Sequence, residues 1–220
     1  MTATDTPPRR AGLFIVFEGP EGAGKSTQLA MLADRLRASG RRCVLTREPG
    51  GTVAGDAIRA VLLDPAQSIT PMTEFLLYSA SRAQLVTEVI SPALAAGDDV
   101  ISDRFTGASV AYQGYGRGLD LGFVTALNER VTEGLAPDLT ILLDIDPETG
   151  LGRVAARSGL DRLEAESVAF HARVREGFVA QSRSDRTWLV IDGAADKDEV
   201  AGVIWRAVEP LLAARGVMAP

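Results

Sequence analysis

The chain has 220 residues, 46% of them apolar, and its 23 basic against 29 acidic side chains leave a formal net charge of −6. That is enough apolar material for the core of one compact domain, and the acidic balance excludes a global field drawing the protein to nucleic acid or an anionic membrane, so any phosphate site has to be local. The lone cysteine, Cys43, excludes an intrachain disulfide and a thiolate metal cluster; its neighbours Val44 and Leu45 give it a core-strand reading without thiol chemistry.

Residues 1–12 hold prolines and two arginines but no apolar segment of the signal-peptide kind, and no later stretch reaches membrane-spanning length. A disordered N-terminal tail over 1–12, a single domain over 13–220 and a cytoplasmic, membrane-free location are expected. The apolar run Leu13 to Phe17 reads as a strand buried on both faces. Directly after it come Gly19, Pro20, Glu21, Gly22, Ala23, Gly24, Lys25 and Ser26, a full match to the P-loop pattern, with a helical stretch from Thr27. The glycines let backbone N–H groups turn around a β-phosphate at the positive end of the following helix. Lys25 then reaches the β- and γ-phosphates of ATP, and the Ser26 hydroxyl ligates Mg²⁺.

A second strand, Cys43 to Leu45, precedes Arg47-Glu48-Pro49-Gly50-Gly51-Thr52, where the paired glycines allow close backbone approach, and Arg59 follows as a further anion contact. Thr70-Pro71 caps and opens a long helix on which Tyr78 and Arg82, four apart, share a face as an aromatic plate beside a bidentate donor for a planar base. Gly40 and Gly97 stop two helices. A third strand at Val100-Ile101 runs into Asp103-Arg104-Phe105. In an open parallel sheet that position opens on the ligand crevice, so Asp103 is placed to hold the water shell of Mg²⁺ and Arg104 to bind phosphate.

Further strands at Leu139 to Leu143 and Trp188 to Ile191 alternate with helical segments, one opened by Asp146-Pro147; the pattern predicts an α/β fold with a five-stranded parallel sheet and helices on both faces. The arginine-rich stretch of about 153–166 reads as a small lid. His171, the only histidine, has no neighbouring His or Cys and reads as surface or packing. There is no Asn-Lys-x-Asp element for guanine; Asp196-Lys197-Asp198 lacks the asparagine. That sets a switch GTPase aside and leaves a kinase for a nucleoside monophosphate or another small acceptor and a P-loop switch ATPase.

Glu21 within the P-loop, the Arg47 to Thr52 run, Asp103-Arg104-Phe105, Ala111-Tyr112-Gln113-Gly114 and Leu160-Asp161-Arg162-Leu163-Glu164, in this order from about Phe14 to Ile191, resemble the bacterial thymidylate kinase family. The resemblance implies ATP-dependent conversion of dTMP to dTDP with Mg²⁺, and a homodimer formed through helices beside the sheet. It further implies that Tyr78, often phenylalanine in the family, stacks on thymine, that Arg82 bonds the thymine carbonyl, and that Ser109 and Gln113 reach the base edge. Arg47, Arg59 and Arg104 would surround the dTMP phosphate, Glu21 would lie near the sugar, and Pro49 and Tyr112 would complete the substrate site. Where some members carry a catalytic arginine in the P-loop this chain has Gly22, so it resembles the kind that supplies it from the lid. Arg153, Arg157 and Arg162 are then the candidates beside Lys25 and Arg104, the first two spaced i, i+4 on one helical face where their charges repel until phosphates arrive.

Overall fold

The apolar run after the N-terminal segment forms β1 (Phe14–Glu18), in which all five residues are buried. The computed structural model describes residues 12–156 and 160–215. β1 is followed by α1 (Lys25–Ala38), β2 (Cys43–Arg47), α2 (Val53–Leu63), α3 (Pro71–Leu85), α4 (Ser91–Ala95), β3 (Asp99–Asp103), α5 (Thr106–Ser109) and α6 (Leu121–Val131). β4 (Leu139–Asp144), α7 (Pro147–Ala155), α8 (Val168–Ser184), β5 (Trp188–Asp192) and α9 (Lys197–Ala213) complete the order.

The strands form one parallel sheet in the order β2-β3-β1-β4-β5. Alternation along β1 divides the core between two faces. Ile15 and Phe17 meet Leu32 and Leu36 of α1 and Ile204 and Val208 of α9, whereas Phe14 and Val16 meet Leu85, Ile90 and Phe105. A third cluster, with Leu142, Tyr112, Phe170 and Phe178, carries α8 and Leu163. Chain direction reverses its winding at β1, and the register sets Phe17 beside Asp103 and Asp103 beside Arg47. Three loops therefore leave the C-terminal edge of the sheet at one level, where a ligand crevice is expected.

Helix ends follow their local chemistry. The Thr70 hydroxyl accepts from the Thr73 amide ahead of Pro71, and the Asp146 carboxylate accepts from the Glu148 and Thr149 amides. The helix after Pro71, expected to be continuous, widens to a π-helical turn over Val86–Ile90 before α4. Pro92 supplies the reason: it has no N–H to donate, and its ring would collide with the carbonyl four residues earlier. A second π-helical stretch, Val110–Gly116, continues α5.

Of the expected tail, residues 1–11 lie outside the described residues; Gly12 is buried and its carbonyl accepts from Arg215. The lid stretch divides: Arg153 belongs to α7, residues 157–159 lie outside the described residues, and a turn after Leu160 leads to α8. Cys43 is half-buried at the sheet edge against the α1 side of the core, and burial pushes its thiol up to about 12, which keeps it protonated. Among the described residues no helix is long and apolar enough to cross a membrane.

Candidate active site

The P-loop emerges from β1 and turns into α1 through Gly19, Gly22 and Gly24, whose φ angles of 137°, 70° and 92° disfavour side chains. At Gly22 the constraint is also steric: a Cβ there would sit 2.2 Å from the Gly150 carbonyl oxygen. Main chain of α7 thus lies directly on the P-loop, which explains physically why an arginine at 22 does not fit this chain. The Lys25 ammonium is buried and donates to the Gly19 and Pro20 carbonyls at 3.0 and 2.8 Å. Burial, reinforced by Arg104, lowers its pKa. The Ser26 hydroxyl lies 3.4 Å from Asp103 Oδ2, so the two expected Mg²⁺ contacts stand together.

Arg104 follows β3 with φ 75°, a left-handed conformation that is uncommon outside glycine and turns its side chain back over the P-loop. Its guanidinium donates to Gly19 O at 3.0 Å, to Glu21 at 2.5 Å and to the Tyr112 hydroxyl at 3.1 Å, and Tyr112 donates to Glu21 at 2.7 Å. Burial acts to raise the Glu21 pKa, but Arg104, Lys25 and the Tyr112 hydrogen bond overcome it and hold the group at about 2. Glu21 is therefore a fixed anion that neutralises Arg104 in the absence of phosphate.

Glu18, the last residue of β1, lies beneath this turn. Its Oε1 accepts from the Phe105 and Ala108 amides, both at 2.9 Å, while its buried Oε2 has no partner among the described residues. Burial raises this carboxyl to about 7 against the opposing pull of Arg104.

A cleft of about 310 Å³ runs from the P-loop towards α3. Arg47, Arg59, Arg104 and Tyr112 line its middle, and Tyr78, Ser109 and Gln113 its far end, with Pro49 also on the wall. Glu21, Ser26, Thr27 and Asp103 line the near end. Arg47 reaches Asp56 at 3.3 Å, and Arg59 donates to the Pro49 carbonyl at 2.9 Å.

Two expected contacts differ. Arg82 is 1% exposed and is drawn behind the cleft wall by Glu48, Asn128, the Phe105 carbonyl and Ser109, at 2.7, 2.6, 3.0 and 3.0 Å. A buried guanidinium needs partners for its donors, and that network supplies four. Arg162 likewise turns away from the phosphates, donating to the Leu62 carbonyl at 2.8 Å and pairing with buried Glu74 at 2.6 Å. Arg153 donates to Gly22 O and Gly193 O at 3.2 and 3.0 Å, beside the P-loop; Arg157 lies outside the described residues. His171 is buried against Phe170, with Nε2 unpartnered among the described residues, and burial lowers its pKa.

Glu18, Glu74, Arg117 and Asn128 had no place in the sequence reading. Two of them left a trace: a carboxylate closing an apolar strand run, and a glutamate one helical turn before Tyr78 on the same face.

A parallel sheet of this order, a P-loop at its central strand and a second cleft end walled by an aromatic ring and arginines define a P-loop nucleoside monophosphate kinase fold. The thymidylate kinase family model matches residues 17–204. The chain belongs to that family. It is 54% identical over 198 residues to a thymidylate kinase of Deinococcus radiodurans, covering 90% of this chain and 96% of the relative. To one of a Synechococcus strain it is 51% identical over 205 residues, covering 92% and 98%. Among solved structures, the thymidylate kinase of Ehrlichia chaffeensis superposes with a TM-score of 0.75 at 32% identity, over 90% of this chain and 98% of that one.

Proposed function

We propose that this chain transfers the γ-phosphoryl group of ATP to dTMP, giving dTDP. The observation that carries the reading is the single cleft in which Lys25 and Ser26 at one end face Tyr78 and Gln113 at the other, with Arg47, Arg59 and Arg104 between them. A switch ATPase has no need of that second end.

The nucleophile in this reaction is already a phosphate oxygen of dTMP, so the protein is asked for alignment and positive charge rather than for a strong general base. Lys25 rests on two P-loop carbonyls, weak partners that a phosphate oxygen displaces. Arg104 is neutralised by Glu21 at rest and is held within reach of the acceptor phosphate by Gly19 and Tyr112. We assign Arg153, against the P-loop, to the donor phosphates and Arg162 to anchoring the lid on Glu74.

Mg²⁺ fits the near end: a hydroxyl and a carboxylate stand together there, and among the described residues no set of three His, Cys, Asp or Glu offers a rival all-protein cage. Ser26 and Asp103 would hold it with ATP, and it would neutralise charge on the phosphate oxygens. A homodimer is part of the same reading. Leu76 of α3 and Phe123 of α6 are exposed on adjacent helices joined by the Phe75–Phe123 ring contact, an apolar face that a second copy would cover. The location we assign is the cytoplasm.

The test is a coupled ADP-release assay with ATP and Mg²⁺, comparing dTMP with dUMP, dCMP, UMP, AMP and no acceptor. The expected result is turnover dominated by dTMP. Dominance by another monophosphate overturns the substrate, and equal ADP release without acceptor overturns the kinase reading in favour of an ATPase.

A further inference from the structure

The turn that leads from β3 into α5 carries Arg104, and side chains of several elements hold its main chain. Its carbonyls accept from donors: Arg104 O from Ser102 Oγ at 2.7 Å, Phe105 O from Arg82 Nη2 at 3.0 Å, Thr106 O from Asn128 Nδ2 at 3.3 Å and Gly107 O from Gln181 Nε2 at 3.1 Å. Two of its amides, those of Phe105 and Ala108, share Glu18 Oε1 at 2.9 Å each. Phe105, which precedes α5, offers no side-chain cap, and the carboxylate of the neighbouring strand caps the turn in its place.

A left-handed residue stays so when the peptide planes on either side of it are both fixed, because those planes define its φ and ψ. Ahead of Arg104, Asp103 O accepts from the Glu48 amide and the Arg104 amide donates to Phe17 O, both at 2.9 Å. The plane after it is gripped at its carbonyl by Ser102 and at its N–H by Glu18. The φ of 75° and the reach of the guanidinium to Gly19 and Glu21 follow from that double hold. Gly107 shows how closely the turn is pressed on the acid: a Cβ there would lie 3.0 Å from Glu18 Oε1 and 2.9 Å from Trp188 Cη2. Glu18 is 1% exposed, and among the described residues its only hydrogen bonds are those two. An acid is costly to bury at the end of an apolar strand, and the contact it makes here is with the turn.

We propose that Glu18 is a positioning residue for phosphoryl transfer, which grips the Phe105 and Ala108 amides, fixes the peptide plane after Arg104 and so sets where the guanidinium meets the acceptor phosphate. The inference rests on the assignment of Arg104 to that phosphate. Reach, not charge, is what the geometry asks of residue 18. An oxygen accepts two N–H groups whether its neighbour is ionised, protonated or replaced by an amide nitrogen. The carboxyl, raised by burial to about 7, therefore keeps its grip on either side of neutrality.

Two substitutions separate reach from charge. Glu18→Gln keeps the length of the side chain and loses the charge; Glu18→Asp keeps the charge and draws the acceptor back by one methylene. In steady-state assays at saturating ATP, kcat/KM for dTMP should fall by about a hundredfold in Glu18→Asp, the effect of a small misplacement of a positioned group, and by less than about fivefold in Glu18→Gln. The KM for ATP should stay within about threefold in both. A role confined to folding would disturb ATP as well, because the P-loop starts at the next residue. A role for the charge would reverse the order of the two variants. In an Arg104→Ala background Glu18→Asp should cost no more than about threefold further, since residues that act through one contact are not additive.

Glu18→Gln as damaging as Glu18→Asp, an unimpaired Glu18→Asp, or a full second loss in the Arg104→Ala background overturns the proposal. If either variant fails to fold, as its melting curve will show, Gly107→Ala decides: it wedges the turn off Glu18 from the other side. The same loss confined to the acceptor is then expected, and an unmoved kcat/KM overturns the proposal. Wild-type enzyme that ignores dTMP and phosphorylates another monophosphate sinks only the substrate reading, and the variants are ranked on that acceptor, whose phosphate Arg104 meets in the same way. Wild-type preference for dTMP with the two Glu18 variants equal sinks only this inference.

Discussion

At the phosphate end the cleft is walled by main chain, with the P-loop turning through left-handed glycines and α7 lying on it closely enough to exclude a Cβ at Gly22. At the base end it is walled by side chains held in buried ion pairs: Arg82 with Glu48, and Glu74 with Arg117 and Arg162. The turn of the P-loop is fixed largely by eight consecutive residues, and the one ion pair there, Arg104 with Glu21, joins only two segments. The ion pairs at the base end join residues from α3, the loop after β2, the residue that follows the π-helical stretch and the lid. A buried charge that loses its partner destabilises all the segments it joined. One end is therefore tuned residue by residue, and the other stands or falls as a unit.

The sharpest break in the comparison comes at Lys25. Lys25→Met removes the ammonium and keeps an apolar stem of similar length, so turnover should fall by about 10³-fold or more while the melting temperature hardly moves. ADP release alongside a thermal melt checks it, and a collapse of the fold would show that the phosphate end too is cooperative. Arg162→Met should do the reverse. With Glu74 left one guanidinium short in a dry site, unfolding in denaturant should reveal a loss of about 3–5 kcal/mol. A loss below about 1 kcal/mol, typical of an exposed pair, would remove the distinction.

The third prediction sits beneath the phosphate end. The Glu18 pKa is raised from 4.5 to about 7, so its share of stability is complete below pH 4.5 and is lost as pH climbs through 7. Glutamine does not titrate; between pH 4.5 and pH 8 the stability difference should swing by about 3 kcal/mol in favour of Glu18→Gln. Unfolding curves of both proteins at pH 5 and pH 8 measure this, and equal differences at the two pH values would mean that Glu18 is not a strained carboxylate. The smallest effect is expected at Tyr78, whose hydroxyl has no hydrogen bond among the described residues. Tyr78→Phe keeps the ring and should leave the KM for dTMP within about threefold. A larger change would mean that the hydroxyl contacts the base.

The same division explains what the sequence discloses. Five strands, the capped starts at Thr70 and Asp146 and the P-loop follow from apolar runs, capping residues and fixed spacing, all of which act between near neighbours. Asp103 and Arg104 were legible because a strand end is a place as well as a sequence. Arg82 and Arg162 were legible as cations but not in their pairing, because Glu48 and Glu74 reach them only after the chain has folded. Glu18 and Glu74 read as ordinary acidic residues until the sheet and helices close over them. The break in the helix after Leu85 was missed, although Pro92, whose effect falls on the turn before it, carried the signal.

The π-helical stretch Val110–Gly116 carries Tyr112, which touches the phosphate-side arginine, and Gln113, which lines the far end of the cleft. Such a turn holds one residue more than an α-helical one. Deleting a single residue there would relax the backbone to ordinary helix and change which side chains of the stretch face the cleft. To the main chain the change would be a relief; to the cleft it would exchange the occupants of the wall. In a redesign this surplus residue is a setting dial, one that turns both ends of the cleft at once.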